Sequence, residues 1–446
     1  MLRLGLRSFV PALGAFATMA AVRAPLGSIV LGVFIAFSLA RVERGGHRVI
    51  SLIRLPALAL VVSLLGAAMK WQPVLGDALF VASVFAALYV RRFGRAAARL
   101  GQAATVAMLA LFIAPAAPGE EPVHALGWAI AACLAAWVWN QIGGLIVRTP
   151  SETDPEADQQ ARKGLRPTTK LALQSGAALA LAFVTGRLLF PDHWAWTVIT
   201  AYTVTVGARS RGHVVHKGVQ RFAGAIAGTA SATLVAGPLA GRSGLTVALI
   251  FVCLFGGLVL RERSYAYWSF AMTSMLALLY GLAGQGGAEL LGERLIEVVL
   301  GTLCGIVPAF LLAPIRTEAL IRRYLGQALA ALSDALDGTQ APYGRRLTAL
   351  RAAAEPGLLL RGRGKAGRLA SAVVPLTACG PHLAALGECD GEARAALRRN
   401  VGVVRLTLAG REAPPLRALP GPADQQAEAV RELDDALRRV HAAVTR

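Results

Sequence analysis

Three charged residues sit where an apolar run begins. Glu293, Arg294 and Glu297 head the stretch ERLIEVVLGTLCGIVPAF. Glu293 and Glu297 are one helical turn apart, so a helix presents them on one face. A carboxylate in hydrocarbon is costly and faces either a cavity or a partner, and Glu297 is so placed that it can bind and release protons. Arg294, three residues before Glu297, is positioned to pair with it and hold the site ready for an anion. The competing reading is a structural ion pair near the outer interface, its long side chains reaching water.

A second group lies in residues 193–229. Trp194 and Trp196 open an apolar segment; Arg209, Arg211, His213, His216, Lys217 and Arg221 form a basic turn; a second apolar segment then starts on the ladder Gly224, Gly228, Ala232. Arg209 and Arg221 either attract an anionic substrate or simply mark the cytoplasmic side. The tryptophans are an aromatic-belt anchor or a stacking surface for a ligand. His213 and His216 share a helical face but lack a third ligand, so no metal is expected. Gly224, Gly228, Gly301 and Gly305 allow close helix contact and give the ninth and last spans matching small faces. Tyr265, Tyr267 and Trp268 line an aromatic pocket or pack in the core.

These residues belong to a chain of 446 residues that is 55% apolar and only 16% charged, against about 25% charged in a soluble domain. The solvent of such a chain is a lipid bilayer. Its net charge of +20 does not point to nucleic acid, because the basic residues cluster between apolar spans where topology explains them. Cys133, Cys253 and Cys304 lie in apolar runs, and Cys379 and Cys389 flank His382 without zinc spacing, so neither a disulfide framework nor a metal centre is expected. No nucleophile elbow, phosphate loop or zinc-protease helix motif occurs. The chain is expected to be no enzyme, to need no cofactor and to use no ATP.

The positioning elements are read from hydropathy. Apolar runs fall near 6–22, 25–40, 52–69, 74–90, 101–117 and 123–147, then near 171–190, 194–208, 219–237, 244–260, 266–284 and 293–313. A polar linker, 148–169, separates the two sets. Arg3 and Arg7 ahead of the first run resemble a signal peptide, but the next run follows at once, so an uncleaved first span is expected. The sets look like copies. Arg91-Arg92 ahead of Met108-Leu-Ala-Leu111 parallels Arg261-Glu-Arg263 ahead of Met275-Leu-Ala-Leu278, at an offset of about 167 residues. An even number of spans per copy makes the repeat parallel. Basic residues concentrate on alternate loops, which places both termini inside. The expected architecture is all-α: twelve transmembrane helices in two parallel six-helix repeats, 1–147 and 170–315. A cytoplasmic domain, 316–446, follows, in which amphipathic helices are expected at 318–336, 345–354, 392–408 and 423–444.

The second block resembles the fusaric acid resistance and aromatic acid exporter family. The resemblance rests on Trp194 at the head of a span, the basic turn Arg209 to Lys217, and Arg221-Phe-Ala-Gly224-Ala-Ile-Ala-Gly228. Glu293-Arg294-Leu-Ile-Glu297-Val-Val-Leu-Gly301-Thr302 is similar to the family's Arg-x-x-Asp/Glu-x-x-x-Gly signature. Two departures stand out: Gly207 where members commonly place proline, and Ala225 where a threonine is common. The resemblance is good over roughly 170–315, looser over 1–147 and absent from the tail. It implies inner-membrane export of aromatic or lipophilic organic acids driven by protons, and kinship with plant malate channels, in which six-span subunits pair. It also implies a separate periplasmic adaptor protein, since no large periplasmic domain is evident. Self-association into a homo-oligomer is left open. The rival functions are a passive organic-anion channel and a membrane-anchored regulatory or scaffold protein.

Overall fold

The computed structural model describes residues 2–42, 48–113, 122–146, 166–239, 241–261, 263–282, 288–338, 343–359, 363–386, 391–418 and 426–445. Most of the expected linker, and Cys389, lie outside the described residues. Among the described residues every regular element is a helix. Twelve come first: α1 (Leu2–Ala21), α2 (Leu26–Val42), α3 (Arg48–Trp71), α4 (Pro73–Tyr89), α5 (Arg95–Ile113), α6 (Pro122–Ile146), α7 (Pro167–Leu189), α8 (Ala195–Thr205), α9 (Arg211–Leu239), α10 (Ser243–Leu260), α11 (Tyr265–Leu282) and α12 (Ala288–Leu311). Six follow: α13 (Thr317–Leu336), α14 (Tyr343–Leu358), α15 (Gly364–Ser371), α16 (Val373–Ala385), α17 (Gly391–Leu408) and α18 (Gln426–Thr445).

Each apolar run of the sequence becomes one helix. Proline opens α4 and α7, where its missing N–H costs nothing. Five helical stretches are long and apolar enough to cross a membrane: Pro73–Phe93, Val123–Ile146, Pro167–Leu189, Ser243–Leu260 and Gly292–Leu311. Large apolar side chains face outward along them, such as Val74, Leu188, Val252 and Leu311. In water such a surface would drive aggregation; in lipid it is the expected outer face. The protein is a multi-pass membrane protein.

The main departure from expectation is α8. The run 194–208 suggested a span, but the helix covers 11 residues, about 16 Å of rise against a hydrocarbon core of about 30 Å. It stops because Val206 turns extended and Gly207 adopts φ +80°, a left-handed conformation that favours glycine. Lys217, two turns into α9, donates to the carbonyls of Thr203 (2.6 Å) and Val206 (3.0 Å) and so satisfies the end of α8. Gln174 of α7 does the same for α12, donating to Leu312 O at 2.8 Å.

The chain divides into two compact units. The first holds α1 to α12 apart from Arg209–His213. In it α1 packs on α2 and α6, and α2 packs on α6; likewise α7 packs on α8 and α12, and α8 packs on α12. Between the blocks α4 packs on α7, and α10 on α1. Its interior includes Phe80, Val84 and Leu88 of α4 against Leu179 and Phe183 of α7. A second cluster joins Phe37 of α2 to Phe251 of α10 and Met272 and Met275 of α11.

The second unit gathers Arg209–His213 with Pro314–Arg446. Its helices surround a core that includes Leu325, Leu329, Leu350, Leu376, Leu397 and Leu433. Helices α15 and α16 were not expected from sequence. Buried Asn400 donates to Asp434 (3.0 Å) and to Arg417 O (3.0 Å) and accepts from Arg417 N (2.9 Å). All its strong bonding positions but one are thereby used, and the segment after α17 is fastened to α17 and α18.

Candidate functional site

The first unit buries a group of charged and hydroxyl side chains where α8, α9, α11 and α12 meet. Arg221, Arg294 and Glu297 are 4%, 7% and 1% exposed, an uncommon degree of burial for such residues. Thr197, Thr200, Ser269 and Thr273 are buried with them.

Helix α12 supplies the acid and one base. Four residues after Glu297 comes Gly301, on the same face, and a Cβ there would stand 2.5 Å from Thr197 O and 2.7 Å from Thr200 Cβ. Gly305 follows against Val204 and Thr205. The Glu297 face of α12 is therefore the face that closes on α8. Helix α9 supplies the second base. Gly224 and Gly228 bring its backbone against Ala266 O and Phe270 O of α11. Just before Gly224, Arg221 accepts a hydrogen bond at its carbonyl from Ser269 Oγ (2.8 Å) and donates to that oxygen from Nη1 (3.4 Å). All four glycines lie against a neighbouring helix, but they do not match α9 to α12. The α9 pair seats α11 and the α12 pair seats α8. Contact between α9 and α12 runs through Gly218 and Thr302.

Arg294 does not pair with Glu297. Of Glu293 and Glu297, the one with an ion-pair partner among the described residues is Glu293, which is exposed and lies 3.6 Å from His193 Nδ1. The Arg294 guanidinium instead lies 3.9 Å from the centre of the Trp196 ring and 5.5 Å from that of Tyr280. Those two rings are 5.7 Å apart and tilted by 53°. Arginine can lie flat on an aromatic face and keep its in-plane N–H groups free to donate. Arg221 and Glu297 are both near enough to Arg294 to interact with it electrostatically. Glu297 Oε1, Arg221 Nε and the hydroxyls of Thr197, Thr200 and Thr273 are buried without a hydrogen-bond partner among the described residues. Buried polar atoms are rarely left so, and a concentration of them suits a polar guest or water.

Trp196 is thus an interior residue and not a belt anchor, because the cation of Arg294 sits on its face. Trp194 is also turned inward. Its ring packs on Phe112 (5.8 Å) and Phe183 (5.6 Å), and the Arg187 guanidinium lies 4.1 Å above it. Arg209 is exposed and groups with the second unit. Of the seven residues singled out for substrate or coupling, Trp196, Arg221, Arg294 and Glu297 come together. Glu293 lies at the margin, while Trp194 and Arg209 lie elsewhere. Trp268 stacks on Phe37 at 5.3 Å, which is core packing, and Tyr267 is exposed.

Sequence reasoning missed two features. Tyr280 carried no motif. Asp77 did carry a signal, as the sole acidic residue within the apolar runs of the first block. It forms a two-point ion pair with Arg187, Nη2 to Oδ1 at 2.8 Å and Nε to Oδ2, joining α4 to α7.

Residues 177–307 match the family model described as fusaric acid resistance protein-like. Neither a curated protein nor a solved structure matches the chain. The matched residues run from α7 into α12 and contain every member of the buried group. The second helical block of this membrane protein is thus the part that is similar to the fusaric acid resistance protein-like family.

Proposed function

We propose that the protein is an inner-membrane exporter of aromatic or lipophilic organic acids, driven by the proton gradient. One observation carries the reading: two buried guanidiniums, Arg221 and Arg294, share a site with a single buried carboxyl, Glu297, and that carboxyl closes an ion pair with neither. With Glu297 ionised the three groups sum to one positive charge, which matches one carboxylate guest. A carboxylate guest completes the site by taking the free N–H donors, which form charge-assisted hydrogen bonds to such oxygens. The Trp196–Tyr280 pair offers an apolar wall for the guest's ring. Glu297 gains or loses the coupling proton.

The fold supports a transport path. The packing of α1, α2 and α6 is repeated by α7, α8 and α12, and each block sets its fourth helix on the other's first. We read this as twelve spans in two parallel repeats about an axis along the membrane normal, with both termini and the tail in the cytoplasm. In this reading α8 is the shortest of the twelve spans. A periplasmic adaptor would carry substrate onward, and the protein itself makes and breaks no covalent bond.

The test is uptake of a labelled aromatic acid into inverted vesicles. Uptake should saturate, rise with an imposed pH gradient, and lose that rise in Glu297→Gln while still saturating. Uptake in the unaltered protein that never exceeds equilibrium, whatever the gradient, would assign a passive anion channel instead.

A further inference from the structure

The surface of the second unit has one corner unlike the rest. Among its described residues the exposed large hydrophobics are Leu358, Leu359 and Val374, at 42%, 62% and 68% exposure. Leu358 ends α14, Leu359 follows it, and Val374 is in the first turn of α16. Helix α15 joins them and packs on both. The bend is tight: a Cβ on Gly357 would stand 2.8 Å from Ala366 O and 2.8 Å from Ala370 Cβ. The three apolar side chains thus belong to one corner.

The same corner is cationic. Among the described residues of 355–386 the cations are Arg363, Lys365 and Arg368, against one acid, Glu355. Arg363 and Lys365 are exposed and Arg368 is half-exposed. Exposed apolar side chains in a stretch with a positive surplus are a poor face for water and suit a surface that is apolar beneath and anionic on top.

Within this unit the corner also packs on residues 209–213. Pro356 Cβ is 3.4 Å from where a Cβ of Gly212 would stand, and Gly212 is in the first turn of α9. Gly212 N donates to Thr317 Oγ1 at 3.1 Å, and Arg211 N to Ile315 O at 3.1 Å. Residues 315–317 follow α12 directly.

We propose that this corner docks on an anionic phospholipid leaflet. Leu358, Leu359 and Val374 enter the boundary between headgroups and acyl chains, and Arg363, Lys365 and Arg368 take lipid phosphates. The assignment is independent of what the protein transports.

The full-length protein is placed in nanodiscs of phosphatidylcholine alone, or of phosphatidylcholine with phosphatidylglycerol, and treated briefly with trypsin. Cutting after Arg363, Lys365 and Arg368 is measured against cutting after Arg411 and Arg417, which are exposed in the non-helical segment following α17. Each basic residue near an anionic leaflet strengthens association roughly fivefold. The cutting ratio should therefore fall at least about fivefold in the anionic discs. It should recover at high salt and in Leu359→Asp combined with Val374→Asp. An equal ratio in both disc types overturns the proposal. So does protection that is the same in both and indifferent to salt, which would mean that a second copy of the chain, or another protein, covers the corner.

Discussion

The Arg294 guanidinium rests on the indole of Trp196, 3.9 Å from the ring centre, although Glu297 is one helical turn away on the same helix. The geometry resolves a competition that sequence spacing leaves open. An i,i+3 pair is available to any helix, yet here the cation lies on the neighbouring helix's aromatic face and the acid has no ion-pair partner among the described residues. A stacked cation in a desolvated setting is worth up to about 2 kcal/mol. Replacing Trp196 by leucine should weaken binding of an aromatic acid by roughly tenfold for each 1.4 kcal/mol removed. Arg294→Lys keeps the charge but loses the planar stack, and should behave much like Trp196→Leu. Equilibrium binding in detergent checks both, and lysine binding as well as arginine would remove the stack from the account.

The two-point pair between Asp77 and Arg187 ties α4 of the first block to α7 of the second. Both side chains are mostly buried, at 11% and 28% exposure. Breaking such a pair from one side strands the other charge, at a cost of about 3 kcal/mol. Asp77→Asn should lower the unfolding midpoint in detergent by several degrees. Removing both charges, with Asp77→Asn and Arg187→Gln, should recover part of that loss. No recovery would mean that Arg187 matters through its place over Trp194 instead.

Gly301 has no room for a methyl group, since its Cβ would meet Thr197 O at 2.5 Å. Gly301→Ala should force α8 and α12 apart, at about 1–3 kcal/mol. Gly256 in α10 has open space around its Cβ position, so Gly256→Ala should be neutral or slightly stabilising. Paired thermal melts of the two variants separate close packing from a general intolerance of alanine.

Cys379 is fully buried in the second unit, its Sγ 3.4 Å from Pro375 O, and burial pushes its thiol up from 9.0 to about 11. The neutral form is the one the fold holds. Below pH 9 folded and unfolded chains both keep the proton, and the stabilisation is fully present. Between pH 9 and about 11 only the unfolded chain loses it, so stability falls by roughly 1.4 kcal/mol per pH unit. Pulse proteolysis in urea, following the C-terminal unit, should show this fall, and Cys379→Ala should flatten it. Burial raises the Tyr343 hydroxyl too, so a residual slope is expected above pH 10.

Much of the helix order was legible in the sequence because an apolar run longer than a few turns has few other solutions in lipid. Glu297 stood out for the same reason, as a charge in a place where charge is expensive. The partners of these groups were not legible. Whether Arg294 turns to Glu297 or to Trp196 depends on how close α8 approaches, and that is set by Gly301 and Gly305 acting on a different helix. Helices α15 and α16 escaped notice because α15 has eight residues and α16 contains Pro375 and Pro381. The early end of α8 was marked only by Gly207, a residue whose backbone conformation has to be seen to be read.

Lys217 gives that early end a further meaning. Its ammonium serves Thr203 and Val206 as the next turn of helix would have done, so one side chain stands in for missing backbone N–H groups. The fold of α8 is therefore completed by a residue that comes after it in the chain, and only once α9 is in place. A change at Lys217 would act as a main-chain defect in a helix to which Lys217 does not belong. During synthesis, α8 would stay unfinished until α9 had followed it into the membrane.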